Sequence, residues 1–255
     1  MYDFVEGTIC LQLPETDEDF YQSAVGFGTF QQLLTDFPAA KLHETIPNFH
    51  NTPDRYRALL ETLERDPMHR AAQVQPEIEF ALARQAEMSA IQNALASGKL
   101  PLRVTHNDTK LNNVLLDAKT RKALCVIDLD TVMPGFVLSD IGDFIRTGAN
   151  TGAEDDANLD NVNVNIDIFK AYTRGYMEKA KSFLTPMEIK LLPYGGRLLT
   201  YMQTVRFLTD YINGDTYYKI HSPKHNLIRT KAQFKLLQSL EAHADEMDAF
   251  MSEWL

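Results

Sequence analysis

A short polar stretch, from His106 to Asn113 (HNDTKLNN), lies between two apolar runs and contains residue types that could do chemistry together. Asp108 could accept a proton, and Lys110 could neutralise an anion. Asn113 offers a neutral amide oxygen, and Asp128, at the end of the apolar run ALCVID, offers a charged one. Carboxylate and amide oxygens are the hard ligands that bind Mg²⁺. A solvated polar turn is the alternative interpretation of these residues.

The spacing of these residues favours the first interpretation. The pattern His-x-Asp-x-x-x-x-Asn is that of kinase catalytic loops, in which the Asp accepts the proton of the substrate hydroxyl and the Asn binds a metal ion. Phosphoryl transfer also needs a cation near the moving phosphate, and Lys110 follows Asp108 by two residues. The second half of the pattern, at Asp128, follows after a predicted β-hairpin. The order of the two half-motifs therefore predicts phosphoryl transfer.

The elements that must position this loop can also be read from the sequence. Leu102–Thr105, Val114–Asp117 and Ala123–Leu129 are β-prone runs, and Asp117–Lys122 is predicted as a hairpin turn. Thr147–Asn161 is predicted as a loop. Apolar spacings of three and four predict helices elsewhere, over Thr16–Phe37, Thr52–Leu63, Pro76–Ala96, Ser139–Arg146, Ile166–Phe183, Thr185–Tyr211 and Asn226–Trp254. The predicted class is α+β, predominantly helical, with a small central β-hairpin element.

Composition limits the partners. The 255 residues carry a net charge of −10, which argues against a nucleic-acid or anionic-membrane partner. No apolar run reaches the length of a transmembrane helix, and the first residues lack the pattern of a signal peptide. Cys10 and Cys125 lie among apolar neighbours and are interpreted as free thiols. Together these features predict a soluble, cytoplasmic protein.

The motifs resemble a known group of enzymes. HNDTKLNNVLLD followed by VIDLDTVMPG is similar to the catalytic segments of the aminoglycoside phosphotransferase and choline kinase superfamily, which has a protein-kinase-like fold. DIGDFIRTGAN (140–150) and TVRFLTDYINGDTYY (204–218) extend the likeness, which is greatest to the N-acetylhexosamine 1-kinases. This resemblance implies ATP and Mg²⁺ as cofactors and an N-acetylhexosamine, phosphorylated at its anomeric hydroxyl, as substrate.

The resemblance also assigns roles to individual residues. It implies Asp108 as the base, Lys110 at the phosphate, and Asn113 and Asp128 as Mg²⁺ ligands. Asp130 would be a further metal ligand or a partner of a sugar hydroxyl. The remaining assignments are sugar contacts and structural supports of the loop: Arg206 and Tyr217 for the sugar, and His106 and Asp140 for support. Arg206 could instead pair with Asp210, Asp140 could be an acid at a helix start, and Tyr217 could be a surface aromatic.

The first residues resemble the hinge between the two lobes of such kinases. YDFVEG (2–7) carries the likeness, and Asp3, Phe4 and Val5 would contact the nucleotide. Residues 1–12 are interpreted as a hinge remnant and 13–255 as the helical C-terminal lobe. No strand-borne lysine precedes the loop, so the chain is expected to lack the ATP-binding lobe, to turn over slowly, and to self-associate through apolar surface near Phe4, Val5 and Ile9.

Two other functions remain open. A choline- or aminoglycoside-type kinase would need an acidic or aromatic pocket for a cationic acceptor, and the acidic stretch Glu154–Asp156 permits one. Arg206 argues against it if that side chain faces the pocket. A non-catalytic remnant that binds a sugar without turnover is the third reading.

Overall fold

The computed structural model describes residues 3–86, 93, 94 and 97–255. Helices form most of this part of the chain, in agreement with the predicted α+β, mostly helical class. The helices are α1 (Asp17–Leu33), α2 (Thr52–Arg65), α3 (Gln75–Ala83), α4 (Val137–Gly148), α5 (Ile166–Ala180), α6 (Pro186–Asn213), α7 (His225–Ala242) and α8 (Ala244–Ser252). The strands are β1 (Thr8–Cys10), β2 (Arg103–Thr105), β3 (Val114–Asp117), β4 (Ala123–Val126) and β5 (Met133–Gly135).

The strands form two small antiparallel sheets. In the first, β3 lies between β1 and β4, and β3 and β4 form the predicted hairpin. Its turn is held by Asp117, whose Oδ1 accepts hydrogen bonds from the backbone N–H groups of Lys119 and Thr120 at 3.0 and 2.7 Å. In the second sheet, β2 pairs with β5, with Val104 opposite Pro134. The catalytic-loop segment 106–113 connects one sheet to the other.

Several predicted helix ends need correction. α1 ends at Leu33 rather than at Phe37. α2 begins at the predicted Thr52, and its cap is Asn51, because the Asn51 side chain accepts a hydrogen bond from the backbone N–H of Asp54 at 3.1 Å. α4 begins at Val137, before the predicted start at Ser139.

Two further predicted helices differ in length. The last one is divided at His243 into α7 and α8. α3 begins where a helix over Pro76–Ala96 was predicted, but residues 87–92 and 95–96 of that prediction lie outside the described residues. The predicted start of α6 is confirmed: Thr185 Oγ1 accepts from the Glu188 N–H, and the Glu188 carboxylate accepts from the Thr185 N–H.

Close helix packing fixes α4 at the centre of the fold. At Gly142 the backbone of α4 approaches that of α6 so closely that an added Cβ would lie 2.3 Å from the carbonyl oxygen of Gly195. One apolar cluster joins α4 to α1, α5, α7 and α8, and a second surrounds α6. Because α4 is held on both sides, the side chains it presents to the loop at 106–113 are held as well. None of the helices in the described part of the chain combines the length and apolar character needed to cross a membrane.

Candidate active site

Asp140 of α4 holds the backbone at the start of the loop. Its Oδ2 accepts a hydrogen bond from the N–H of His106 at 2.9 Å, and its Oδ1 accepts from the N–H of Asn107 at 2.7 Å. The Gln31 side chain donates to Oδ2 at 2.6 Å. Burial raises the pKa of Asp140, while these hydrogen bonds act in the opposite direction. The carboxylate therefore takes the place of a strand partner where the chain leaves β2.

His106 is buried and its ring connects the loop to the end of β4. Nε2 lies 2.9 Å from the carbonyl oxygen of Ile127, and Nδ1 accepts from the N–H of Asp108 at 3.3 Å. These partners require the tautomer with the proton on Nε2. The rings of Phe27 and Phe30 meet the imidazole edge to face. Since both ring nitrogens have backbone partners, His106 supports the structure of the loop.

Asp108, Lys110 and Asn113 lie together. The Lys110 Nζ is 2.7 Å from Asp108 Oδ1, and the Asn113 Nδ2 donates to Asp108 Oδ2 at 3.1 Å and to the Asp108 carbonyl at 2.8 Å. Burial opposes the charge on Lys110, but the hydrogen bond and charge of Asp108 outweigh it and raise the lysine pKa. Asn113 is buried and turns its amide nitrogen toward Asp108, which leaves the amide oxygen for another ligand.

Asp128 lies next to Asn113 through the backbone. The N–H of Ile127 donates to the Asn113 carbonyl at 2.9 Å, so the following residue, Asp128, emerges beside Asn113. Asp128 is exposed and has a left-handed backbone, φ 59°, a conformation that non-glycine residues adopt mainly where the surroundings impose it.

Asn113 and Asp128 offer the kinds of oxygen that Mg²⁺ prefers as ligands. Among the described residues, no group of three His, Cys, Asp or Glu side chains is arranged to hold an ion. Mg²⁺ is usually bound through one or two carboxylates together with waters and substrate phosphates. The amide oxygen of Asn113 and the carboxylate of Asp128 fit that more open kind of site.

A cavity of about 440 Å³ opens in front of the loop. We call it the loop cavity, and its lining includes Asp108, Lys110, Asp143, Arg206, Tyr218 and Arg229. The base candidate and the lysine, which are paired, both line this cavity, and α6 and α7 supply other lining residues. A small organic molecule with a hydroxyl group could lie in this space with that hydroxyl against Asp108.

The comparison with known families agrees with this geometry. The model of the phosphotransferase enzyme family, APH, matches residues 1–175, which is more than half of the chain. The chain belongs to this phosphotransferase family. It is therefore a kinase-type enzyme of the small-molecule class, and the family implies ATP and usually a divalent metal.

Of the predicted sugar-contacting residues of the phosphotransferase, only some line the loop cavity. Arg206 lines it, but Tyr217 is 71% exposed and lines an adjoining cavity of about 200 Å³, whereas Tyr218 lines both. Arg206 does not pair with Asp210, because the Asp210 carboxylate accepts from the backbone N–H groups of residues 216–218. Asp130 is exposed and is not part of the loop cavity wall.

The predicted nucleotide-contacting residues lie before β1 in the described chain. Phe4 is 87% exposed and Asp3 is exposed as well. Val5 is partly buried, and its carbonyl accepts from Thr8 Oγ1 at 2.8 Å. These three residues are not part of the loop cavity.

An ion cluster beside the catalytic loop was not predicted from the sequence. Arg146 donates to Asp143 Oδ1 at 2.9 Å and to Glu154 Oε1 at 2.6 Å. Burial opposes the charge of Arg146, but the two carboxylates outweigh it and raise the pKa of Arg146. The i,i+3 spacing of Asp143 and Arg146 in DIGDFIR is a sequence signal for their ion pair. The position of Glu154 in the following loop gives no sequence signal for its pair with Arg146. The residues of this cluster line the loop cavity.

His50 is a second unpredicted residue of the cavity wall. It stacks on Phe49, and its pKa is lowered to about 3, first by burial and then by the positive charges of Arg206 and Arg146. His50 is thus neutral at physiological pH. No sequence motif links position 50 to the loop at 106–113.

Proposed function

We propose that this phosphotransferase is an ATP-dependent small-molecule kinase in which Asp108 is the catalytic base. The observation that carries the proposal is the arrangement of Asp108 at the wall of the loop cavity, with Lys110 and Asn113 each on one of its carboxylate oxygens. A carboxylate held in this way has a fixed orientation. It is placed to accept a proton from a hydroxyl that enters the cavity.

In the proposed reaction, the acceptor oxygen attacks the γ-phosphorus of ATP. The new O–P bond forms as the bond from the γ-phosphorus to the ADP oxygen breaks, and the hydroxyl proton passes to Asp108. Lys110 neutralises charge on the transferred phosphoryl group, so its contact with Asp108 is exchanged for one with phosphate. Asn113 and Asp128 would hold Mg²⁺, which offsets the charge of the phosphate oxygens when bound. Positioning and electrostatics supply most of the catalysis in this class of reaction.

The acceptor is proposed to be an N-acetylhexosamine, phosphorylated at the anomeric hydroxyl. The resemblance to N-acetylhexosamine 1-kinases supports this choice, with Arg206 and Tyr217 as the sugar contacts it implies and Asp130 as a metal or hydroxyl ligand. Tyr218 is added because it lines the loop cavity beside Arg206. A cationic acceptor of the choline or aminoglycoside type is disfavoured, because Arg206 and Arg229 would repel it.

The nucleotide is proposed to lie against Asp3, Phe4 and Val5, as the resemblance to the kinase hinge implies. Strand β1, which follows these residues in the described part of the chain, carries no lysine that could contact the nucleotide phosphates. We therefore expect slow turnover by the 255-residue chain.

Long incubations are accordingly needed for the test. The chain, ATP, Mg²⁺ and N-acetylglucosamine would be followed by ³¹P NMR for the appearance of a sugar phosphate, in parallel with Asp108→Asn. Removing a general base lowers rates about 10²- to 10⁴-fold, so the variant should yield no detectable product. A panel of other hydroxyl compounds, including choline and an aminoglycoside, identifies the acceptor class.

The control is Asp160→Asn, at an exposed carboxylate far along the chain, which should react like the original. Equal product from Asp108→Asn would contradict the assigned base. Sugar binding by calorimetry, with no transfer by any version of the chain, would support the non-catalytic alternative instead.

A further inference from the structure

Arg206 lines the loop cavity and has no carboxylate partner among the residues that the structure describes. Its guanidinium donates to the Gln203 side chain at 3.0 Å and lies 5.5–5.8 Å from the ring centres of Phe49, Tyr217 and Tyr218. Within the described residues, no carboxylate oxygen lies within ion-pair distance of it. Aromatic faces attract a cation, but they leave its net charge in place.

Two more arginines near Arg206 are in the same situation. Arg55 donates to the backbone carbonyl groups of Asn48 and Phe49, and Arg229 donates to a backbone carbonyl and to the Asn226 side chain. The Nε atoms of both are buried and have no hydrogen-bond partner in the described part of the chain. Neither guanidinium has a carboxylate within ion-pair distance there. The charge of Asp54 partly offsets that of Arg55, and Asp155 interacts electrostatically with Arg229, but neither carboxylate forms an ion pair with these arginines in the described part of the chain.

The three arginines face connected spaces. Arg206 and Arg229 line the loop cavity, and Arg55 and Arg206 line the adjoining cavity of about 200 Å³. Tyr218 lines both, so the two cavities adjoin at Arg206 and Tyr218. We call the region formed by Arg55, Arg206 and Arg229 the arginine pocket.

Carboxylates around the arginine pocket have other partners, as Asp155 has in His225. Asp210 lines the smaller cavity, but it accepts three backbone N–H groups and the amide of Asn226. Asp54 pairs with Arg57, and Glu154 pairs with Arg146. An unfavourable accumulation of positive charge thus persists in a chain whose net charge is −10.

The effect of this charge reaches neighbouring groups. The pKa of Arg55 is lowered, first by burial and then by repulsion from Arg206. The guanidinium of Arg206 also lowers the pKa of His50, as the second cause after burial. Half-buried cations that repel one another cost stability unless a ligand offsets them.

We propose that the arginine pocket binds an anionic group, a carboxylate or a phosphate monoester, carried by the acceptor molecule. The orientation rests on the proposed function: the acceptor's reacting hydroxyl lies at Asp108 and its anionic group lies at Arg206, which lines the same cavity. Within the proposed sugar class, the acceptor is then a hexose derivative that also carries a carboxylate or a phosphate group. Guanidinium groups suit both anions, because their parallel N–H donors match pairs of oxygens.

The nucleotide is the other possible source of an anion at this place. Under the proposed function its transferred phosphate lies at Lys110 and near Asn113, on the loop, whereas the arginine pocket is built from α2, α6 and α7. An acceptor-borne anion therefore fits the placement better than a nucleotide phosphate does.

Binding measured without ATP tests the proposal independently of phosphoryl transfer. Calorimetry would compare N-acetylglucosamine with its 6-phosphate and with glucuronic acid. At least one of the two anionic sugars should bind at least tenfold more tightly than the neutral sugar. In Arg206→Gln and Arg229→Gln this ratio should fall below threefold, and it should fall as well when salt is raised.

The matched control is Arg57→Gln, on the same helix as Arg55, because Arg57 is 67% exposed at its side chain and already paired with Asp54. That variant should keep the tenfold preference. Circular dichroism would establish that each variant is folded.

Three outcomes would overturn the proposal: equal affinity for neutral and anionic sugars, an anion preference that survives both arginine substitutions, or weakening of MgATP binding by Arg206→Gln as large as the weakening of sugar phosphate binding. The last would assign the pocket to the nucleotide.

An anion preference in a chain that transfers no phosphate would support the arginine pocket and contradict the proposed function. Transfer to a neutral sugar with no anion preference would do the reverse.

Discussion

Asp140 accepts a hydrogen bond from the backbone N–H of His106 at 2.9 Å, although 34 residues separate them in the chain. Its second oxygen accepts from the next N–H, that of Asn107, at 2.7 Å. One buried carboxylate on α4 therefore sets the path of the backbone immediately before Asp108. The orientation of the proposed base depends on how α4 packs, as well as on the loop itself.

Replacing Asp140 by Asn should lower both stability and activity. Asparagine has only one acceptor oxygen. Its NH₂ group would face a backbone N–H that has a carboxylate oxygen as acceptor in the original chain. Hydrogen bonds to charged groups contribute about 1.5–3 kcal/mol each, so we expect the free energy of unfolding to fall by about 2–4 kcal/mol. The measurements are urea denaturation followed by circular dichroism, and the phosphotransfer rate.

Asp160→Asn is the control for Asp140→Asn, because Asp160 is exposed. A surface substitution of this kind should change the unfolding free energy by no more than about 0.5 kcal/mol. A urea midpoint for Asp140→Asn equal to that of the original chain would show that α4 does not hold the loop in the way described.

The hairpin and the loop it carries could be predicted because their signals are local. A β-prone run, a turn at Asp117–Lys122 and a second run lie next to one another in the sequence, and the loop motif has a fixed spacing. The start of α6 at Thr185 is equally local, since a capping residue and its acid partner are three residues apart. Contacts of this range can be read from residue types alone.

The rest depends on contacts between distant segments. β5 contains Pro134, which argues against a strand, and it becomes one only because β2 lies beside it. Arg55, Arg206 and Arg229 come from three helices, and only helix packing brings them to adjoining cavities. No spacing rule connects such positions, so the arginine pocket could not be predicted from the sequence.

Gly142→Ala should destabilise the protein by forcing α4 away from α6. The added Cβ would lie 2.3 Å from the carbonyl oxygen of Gly195, and backbone cannot move aside as a side chain can. Overpacking of this kind typically costs about 1–3 kcal/mol. Because α4 also carries Asp140, the phosphotransfer rate should fall in the same variant. Urea denaturation and rate measurements at one temperature check both effects.

Gly26→Ala provides the comparison for Gly142→Ala. Its added Cβ would meet side-chain carbon of Val114 at 3.0 Å, and a side chain can shift. Alanine is also the better helix former by about 1 kcal/mol, so we expect little net loss. If the two variants unfold at the same urea concentration, the close approach of α4 and α6 does not limit stability.

Asn113→Ala should raise the Mg²⁺ concentration needed for half-maximal phosphotransfer. The amide nitrogen of Asn113 holds Asp108, and its oxygen is the proposed metal ligand, so both functions are lost together. Losing groups that orient or support a metal site costs about 10- to 100-fold in metal affinity or activity. The measurement is a rate titration with MgCl₂ at constant ATP.

The adjacent Asn112→Ala is the control for this titration, since the Asn112 side chain donates to Gln12 at 3.3 Å and does not contact Asp108. It should leave the Mg²⁺ dependence unchanged. An unchanged dependence in Asn113→Ala as well would remove Asn113 from the proposed metal site.

Asp19 should make the stability of the protein depend on pH in the acid range. Burial opposes the ionisation of this carboxylate at the start of α1. Hydrogen bonds from Arg121 and from the backbone N–H groups of Glu15 and Thr16 outweigh that effect and lower the pKa of Asp19. Because the pKa is lower in the folded state, the ionised group stabilises the fold above its unfolded pKa of about 3.9. That contribution is lost as the pH falls through the folded pKa.

The prediction is tested by comparing the original chain with Asp19→Asn in urea denaturations at pH 7, 5, 4 and 3. Asp19→Asn should be less stable at pH 7, and the difference should shrink below about pH 4, where the unfolded carboxylate takes up its proton. Asp17→Asn, an exposed neighbour in the same helical turn, should show a difference that is small at every pH. A constant gap between the original chain and Asp19→Asn from pH 7 to pH 3 would mean that the ion pair with Arg121 contributes nothing through ionisation, and that Asp19 acts only through the shape of its hydrogen bonds.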